Sequence, residues 1–307
     1  MTLDLHCRSK CAGDLGMKKY YLITTAHFED RLWFRDEEDY KVAMNYVAVQ
    51  AAACPGVIVL AFILMSNHTH FVLFGKREDI LAFIYQFKQR YSIYYRRKYG
   101  VKELLRGNGV DIKIINNEES ESLERTIAYV QMNCVAANIC SHPSQYPWGT
   151  GNTFFNPAPI IGKALRQMPR RAVNRALRSE FPGLPGEWKL GVDGMINPRE
   201  YAATGKVEAI FRTAKRMNYF LFNSSKAKKR IETNEGNLPS FSDQSILSIL
   251  PDLYRSLFNK KSFEDLSESE KVEFARQLRF RFNSDANQIA RLCGLSYSDA
   301  AKLLDSV

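Results

Sequence analysis

Two histidines one residue apart, His68 and His70, lie in the run Met65-Ser66-Asn67-His68-Thr69-His70-Phe71-Val72-Leu73. In an extended strand residues i and i+2 project to the same face, so the imidazoles would stand side by side. Neutral ring nitrogens at that separation can grip one divalent cation and leave its other positions to water or substrate. A half-exposed strand carrying a pair of surface histidines satisfies the same pattern. Further along, in Glu124-Arg125-Thr126-Ile127-Ala128-Tyr129-Val130-Gln131-Met132-Asn133, Tyr129 and Asn133 share one helical face. Packed across a sheet, that face could bring the Asn133 side-chain oxygen to the cation as a third ligand. It would also hold the Tyr129 hydroxyl over a phosphate. A phenol, with a pKa of about 10, is a poor nucleophile until a base or an electrophile assists it. A cation there would neutralise the non-bridging oxygens and orient the ester for in-line attack. Among 15 tyrosines, a core or interfacial role for Tyr129 is equally open on spacing alone.

The elements that must position these groups can be read from periodicity. Lys18 to Thr25 is rich in β-branched and aromatic residues and reads as a strand. Asp36-Glu37-Glu38 opens a helical pattern through Tyr40, Val42, Tyr46 and Val49, acidic where the helix dipole favours it, and Pro55-Gly56 ends it. Val57 to Met65 and His68 to Phe74 read as strands joined by the turn-like Ser66-Asn67. Ile80, Phe83, Ile84, Phe87, Tyr91 and Tyr94-Tyr95 mark a helix from about Arg77 to Tyr99. Val110 to Ile115 is a further strand and Ser120 to Asn138 a third helix. That order is the order of an α+β, ferredoxin-like split βαβ domain, an antiparallel sheet with helices on one face.

Past Ser141 the texture changes. Pro143, Pro147, Gly149, Gly151, Pro157 and Pro159 predict a connector without lasting regular structure. A basic helix is expected over Ile160 to Ser179, a second helical stretch from Asn197-Pro198 through Phe222, and a polar, charged run from Asn223 to Gly236. Ser267-Glu268-Ser269-Glu270 is a capped start for a long helix to Phe282, with two short helices around Cys293-Gly294-Leu295-Ser296. The expected organisation is an unstructured extension over 1–16, a catalytic domain over 17–150, a basic helical connector over 151–236 and a helical domain over 237–307.

With 307 residues, 45% hydrophobic and 25% charged, wholesale disorder is excluded. No run approaches the roughly 20 apolar residues of a membrane span. Met1 to Cys7 lacks a basic stretch followed by an apolar core, and the six cysteines are scattered. A cytoplasmic chain with reduced thiols and no membrane partner is therefore expected. Cys7 and Cys11 could be half a zinc site, but no second pair follows. Between residues 160 and 230 stand 16 basic residues against five acidic ones, which accounts for the whole net charge of +10. A concentrated basic surface fits a polyphosphate partner, or simply a solvated face. From Lys88 to Arg106 the net charge is +6, with Tyr91, Tyr94, Tyr95 and Tyr99 interleaved. Cations along phosphates and rings on unpaired bases are the usual means of holding single strands. The alternative is that these tyrosines are core and the cations solvated.

Met65-Ser66-Asn67-His68-Thr69-His70 resembles the Met-Pro-Asn-His-hydrophobic-His signature of the HUH single-strand transposases. The resemblance is to the REP-associated tyrosine transposases, relatives of the insertion sequence 200 transposases. It continues upstream through Arg31-Leu32-Trp33-Phe34-Arg35-Asp36-Glu37-Glu38-Asp39. Downstream, Tyr129-Val130-Gln131-Met132-Asn133-Cys134-Val135-Ala136-Ala137 is similar to the family's Tyr-Ile-x-x-Asn-Pro-Val-x-Ala, and Tyr146-Pro147-Trp148-Gly149 follows. Roughly residues 18 to 150 are covered, with the motifs in the family's order. Three departures stand out: Ser66 for proline, Thr69 for an apolar residue, and Cys134 for the proline after Asn133.

The resemblance implies His68, His70 and Asn133 as ligands of Mg²⁺ or Mn²⁺ and Tyr129 as the nucleophile. It implies attack on single-stranded DNA beside a hairpin, a 5′-phosphotyrosine intermediate and a freed 3′-hydroxyl, in a protein that is nucleoid-associated when bound to DNA. Lys88, Arg90, Tyr95, Arg96 and Arg97, and then Arg170, Arg171, Arg175 and Arg178 on one helical face, are the residues expected to hold the DNA. Residues 286–304 look like a helix-turn-helix, whose second helix normally enters the major groove. Seven basic against eight acidic residues from Lys261 to Val307 speak against simple phosphate seeking. DNA reading, docking of a second copy as a homodimer, and plain packing are all open there. The expected function is cleavage and rejoining of hairpin DNA, the alternative a catalytically inactive hairpin-binding protein on the same fold. A mononuclear iron enzyme using His68, His70 and a carboxylate would leave Tyr129 and the basic segment without a role.

Overall fold

The computed structural model describes residues 16–25, 32–100, 109–116, 121–137, 139–225 and 241–305. Four strands, β1 (Lys19–Thr24), β2 (Ile58–Met65), β3 (His68–Gly75) and β4 (Asp111–Ile115), form one antiparallel sheet in the order β2-β3-β1-β4. Helix α1 (Glu37–Ala53) links β1 to β2, α2 (Arg77–Tyr99) links β3 to β4, and α3 (Ser122–Gln131) follows β4. Because β3 lies between β1 and β2, the connection through α1 encloses a strand: this is the ferredoxin-like split βαβ order. Local chemistry sets the helix ends. Asp36 accepts from the Asp39 amide at 2.9 Å and begins α1, and Gly100, at φ 69°, ends α2 in the left-handed conformation that glycine adopts without strain.

The period of two along β3 separates two cores. Thr69, Phe71 and Leu73 turn toward α1 and α2, where Phe71 and Leu73 join Phe62, Phe83, Phe87 and Tyr91. Val72 turns the other way, toward α3 and a short α4 (Asn133–Ala136). Helices therefore cover both faces of the sheet rather than one. The apolar residues of β2, buried on both sides, require it.

Two expected helices are shorter than their sequence patterns. The run Ile160 to Ser179 is α-helical only as α5 (Arg170–Leu177), after a single 3-10 turn at Leu165–Gln167, because Pro169 has no N–H and restricts the residue before it. Ahead of it a two-residue strand β5 (Lys163–Ala164) pairs with β6 (Lys189–Leu190). The stretch to Phe222 divides into α6 (Thr204–Phe211) and α7 (Ala214–Phe222) at Arg212 and Thr213. Nor is this region a connector. Val173 and Leu177 of α5 pack on Ala48 of α1, while Val207, Phe211, Met217, Phe220 and Leu221 of α6 and α7 close the core on the α3 side.

Helices α8 (Asp243–Phe258), α9 (Glu268–Phe282), α10 (Ala286–Cys293) and α11 (Tyr297–Asp305) enclose a separate core around Phe274 and Leu278. The expected cap forms, Ser267 and Glu270 bonding reciprocally at the start of α9; Gly294 ends α10 at φ 67°, and the Ser296 hydroxyl accepts from the Asp299 amide. Gln244 of α8 donates to the Phe34 carbonyl at 2.7 Å and joins this bundle to the sheet domain. Among the described residues no helix is long and apolar enough to cross a membrane. The Cys7–Cys11 pair, the 1–16 extension apart from Gly16, Arg31, Lys102, Arg106 and the run 226–236 lie outside the described residues.

Candidate active site

His68 and His70 share the α3-facing side of β3, with ring centroids 4.9 Å apart and planes at 86°. His70 is 4% exposed, and its Nδ1 is 2.9 Å from the Thr24 hydroxyl on β1, its register partner in the sheet. His68 Nδ1 lies 2.8 Å from Asn67 Oδ1. An amide oxygen only accepts, so this contact suits the tautomer with the proton on Nδ1, which leaves Nε2 as the ring's acceptor. Metal-binding imidazoles are commonly oriented in this way by a second hydrogen bond at the far nitrogen. Neither Thr24 nor Asn67 was assigned a role from sequence: Thr24 meets His70 only through the β1–β3 register, though Asn67, next to His68, was within reach.

Tyr129, half-buried on α3, lies edge-on to His70 with centroids 5.8 Å apart. Burial raises its phenol pKa above the ordinary value, so the hydroxyl stays protonated and needs help to attack. Asn133 follows at the break between α3 and α4. The expected continuous helix is interrupted at Met132, and the Asn133 side chain donates to the carbonyls of Tyr129 and Val130 at 3.0 and 3.1 Å. A side-chain amide competing for helix carbonyls is a common cause of such a break. With Nδ2 so engaged, Oδ1 is turned away from those carbonyls, in a residue 4% exposed. Among the described residues no three of His, Cys, Asp and Glu cluster as a metal site. The donors shown side by side are thus two imidazoles, oriented from behind. Such a set suits a cation that keeps several positions for water or phosphate oxygens.

The site rests on two buried frames. In the first, tyrosines of α2 donate to the segment ahead of α1 and to its first turn: Tyr91 to the Trp33 carbonyl, Tyr95 to Leu32 at 3.1 Å, and Tyr94 and Tyr99 to Asp39 at 2.9 and 2.8 Å. Trp33 and Phe34 amides in turn donate to the Ser66 carbonyl, in the turn that delivers His68. In the second, Tyr146 donates to the Leu64 carbonyl at 2.7 Å and the Leu64 amide to Trp148 at 2.9 Å. A Cβ on Gly149 would fall 2.5 Å from the Phe62 carbonyl, so only glycine allows this approach. Next to it, Gln131 donates to Thr150 Oγ1 at 2.9 Å and fastens the end of α3 to β2. Thr69 is accounted for as well: its amide and hydroxyl meet the Thr25 hydroxyl, so a polar residue is satisfied inside the core.

The expected DNA-binding residues divide. Lys88 and Tyr95 are 8% and 1% exposed and belong to the core, which removes them from any DNA surface. Their helix pattern was right, but Lys88 and Tyr95 lie on its inward side. Arg96, Arg97, Arg170, Arg171 and Arg175 are exposed, and Arg90 is half-buried. Arg178 pairs with Glu38. Tyr46 of α1 donates to the Arg178 carbonyl at 3.2 Å, and burial raises its pKa against the pull of Arg90, Arg178 and Arg97. This basic patch belongs to the α1–α2 layer, across the sheet from His68 and His70.

Fold and site together define a class: a ferredoxin-like sheet that presents paired imidazoles and a tyrosine hydroxyl on one face. No protein-family model matches the chain, and no curated protein does. A solved structure, that of the REP-associated tyrosine transposase bound to a REP hairpin, is similar over 44% of this chain and 77% of the other, with 14% identity and a TM-score of 0.34. At that likeness the functional reading rests on the residues of the site.

Proposed function

We propose that this protein cleaves and rejoins single-stranded DNA beside a hairpin, with Tyr129 as nucleophile. The observation that carries the reading is the meeting of His68, His70 and Tyr129 on one side of β3, from segments far apart in sequence. The resemblance of the two motifs that carry these residues to the HUH transposase signature supports it. The Tyr129 oxygen attacks phosphorus, a 5′-phosphotyrosine bond forms, and the bond to the 3′ oxygen breaks. In net terms the phenol proton passes to that 3′ oxygen. Attack by the 3′-hydroxyl of another strand would reverse the sequence and rejoin the DNA.

His68, His70 and Asn133 would hold Mg²⁺ or Mn²⁺, which supplies charge neutralisation at the non-bridging oxygens. Thr24 and Asn67 keep the two rings in place for it, and the raised pKa of Tyr129 explains why an electrophile beside the phosphate is needed. Incubation with labelled hairpin oligonucleotides and Mn²⁺, resolved on a denaturing gel, tests this. A covalent adduct absent from Tyr129→Phe is the expected result. Tight hairpin binding without an adduct would reduce the protein to the binding-only alternative.

A further inference from the structure

The cations of α2 and α5 lie on the layer opposite the site, and on the site's own layer another basic surface stands out. Helix α7 turns Met217, Phe220 and Leu221 inward and leaves Lys215, Tyr219 and Phe222 outside. Tyr219 is 61% and Phe222 57% exposed. At spacings of four and three residues, Lys215, Tyr219 and Phe222 follow one another along one helical face. The His142 ring stands beside Phe222, at 6.1 Å between centroids, and its Nε2 lies 3.4 Å from Asn218 Oδ1.

The sequence of this segment is basic. From Ala209 to Arg230 the sequence has seven Lys and Arg and no Asp or Glu. Arg216 is engaged, its guanidinium bonding Glu121 and Glu124 on α3. Arg212 and Lys215 make no ion pair among the described residues. Arg212 also sits at φ 67°, at the centre of a tight turn closed by the Thr213 amide on the Phe211 carbonyl at 2.8 Å. That conformation is rare and strained for a residue with a side chain. It brings α7 directly off α6 at a sharp corner, with Arg212 ahead of the aromatic row.

We propose that this face of α7 is a stacking platform for single-stranded DNA flanking the hairpin, with bases on Tyr219 and Phe222 and phosphates on Arg212 and Lys215. The proposal rests on the reading of the protein as a hairpin-DNA enzyme. Exposed rings in a row with two cations that no carboxylate among the described residues neutralises match a strand whose bases are unpaired and whose backbone is anionic. The platform stands on the outer side of α3, the helix that carries Tyr129. It is therefore placed to hold a strand on the site's side of the sheet, where the patch of α2 and α5 is not.

The test compares the full chain's affinity for a blunt hairpin, the same hairpin with a single-stranded tail, and an unstructured oligothymidine. Wild type should bind the tailed hairpin about ten-fold or more tighter than the blunt one. Y219A/F222A should lose that advantage and keep its affinity for the blunt hairpin, while Y219F/F222Y should retain both. R212Q/K215Q should lower the salt slope on the tailed hairpin by about 1.4, the value for two single-strand phosphates. Tryptophan placed by F222W should be quenched by oligothymidine, a readout that needs no loss of binding. A tail that adds nothing in wild type, or an advantage that survives Y219A/F222A, overturns the proposal. So does a dimer in sedimentation that Y219A/F222A dissociates with the tail advantage intact, since the face would then join two copies. If no hairpin binds but oligothymidine binding is lost in Y219A/F222A, the platform stands and the hairpin reading fails.

Discussion

The two faces of β3 follow different rules, although their residues alternate along one strand. Phe71 and Leu73, both fully buried, meet the rings of α2 on one side. That side is closed by tyrosines whose hydroxyls find acceptors in the segment before α1 or in its first turn. On the other side His68 and Tyr129 stay half-buried, and His70 is steadied by Thr24. One face provides rigidity, and the other keeps ionisable groups close to solvent with their orientations set from behind. The difference indicates that the tyrosines of α2, read from sequence as candidate base-stacking rings, are the struts of the site.

Substitutions on the two faces should therefore fail in different ways. Tyr129→Phe should abolish the covalent adduct and leave unfolding within about 0.5 kcal/mol of wild type, as for a half-exposed hydroxyl; a full-strength adduct on the gel would remove Tyr129 from the chemistry. Phe71→Ala, one residue from His70 but on the closed face, should cost about 3–5 kcal/mol in denaturant unfolding. The adduct yield per folded molecule should stay near wild type, and a selective loss of yield would show that the faces are not separable. Thr24→Val should weaken the Mn²⁺ dependence of cleavage by about 10- to 100-fold, the usual effect of removing a group that orients a metal-bound histidine.

The smallest expected effect is on acid stability. Burial alone would raise the carboxyls of Asp36 and Glu38, but hydrogen bonds and charge from Lys98 hold both below their ordinary values. Below those ordinary values, 3.8 and 4.5, the unfolded chain binds protons that the folded one still refuses. Stability is then present above about pH 4.5 and falls as the pH drops further. Lys98→Met should flatten this fall in thermal unfolding between pH 5 and 3, and an unchanged profile would show that the network contributes nothing there.

Much of the frame was legible. Helix α2 runs from Arg77 to Tyr99 as its apolar spacing predicts, and the ferredoxin-like order follows from the alternation of elements. The His-x-His pair and the Tyr129–Asn133 spacing pointed to one site, and the tertiary structure brings His68, His70 and Tyr129 together. Asn133 was expected on a continuous helix and instead lies just past a break that its own side chain helps to make. Lys88 and Tyr95 were misread because basic and aromatic residues at helical spacing look the same whether the rings face a nucleic acid or a core.

By itself the sequence determined what local rules control: the period of two that puts both imidazoles on one side of a strand, the helix starts at Asp36 and Ser267, and the concentration of positive charge. Which groups face one another was decided only by the fold. Thr24 reaches His70 through strand register, Gln131 reaches Thr150 through a return of the chain along β2, and the cations of α2 and α5 gather on the layer away from the site. Such contacts join residues far apart in the chain. Their geometry depends on how whole layers pack, which no short stretch of sequence encodes.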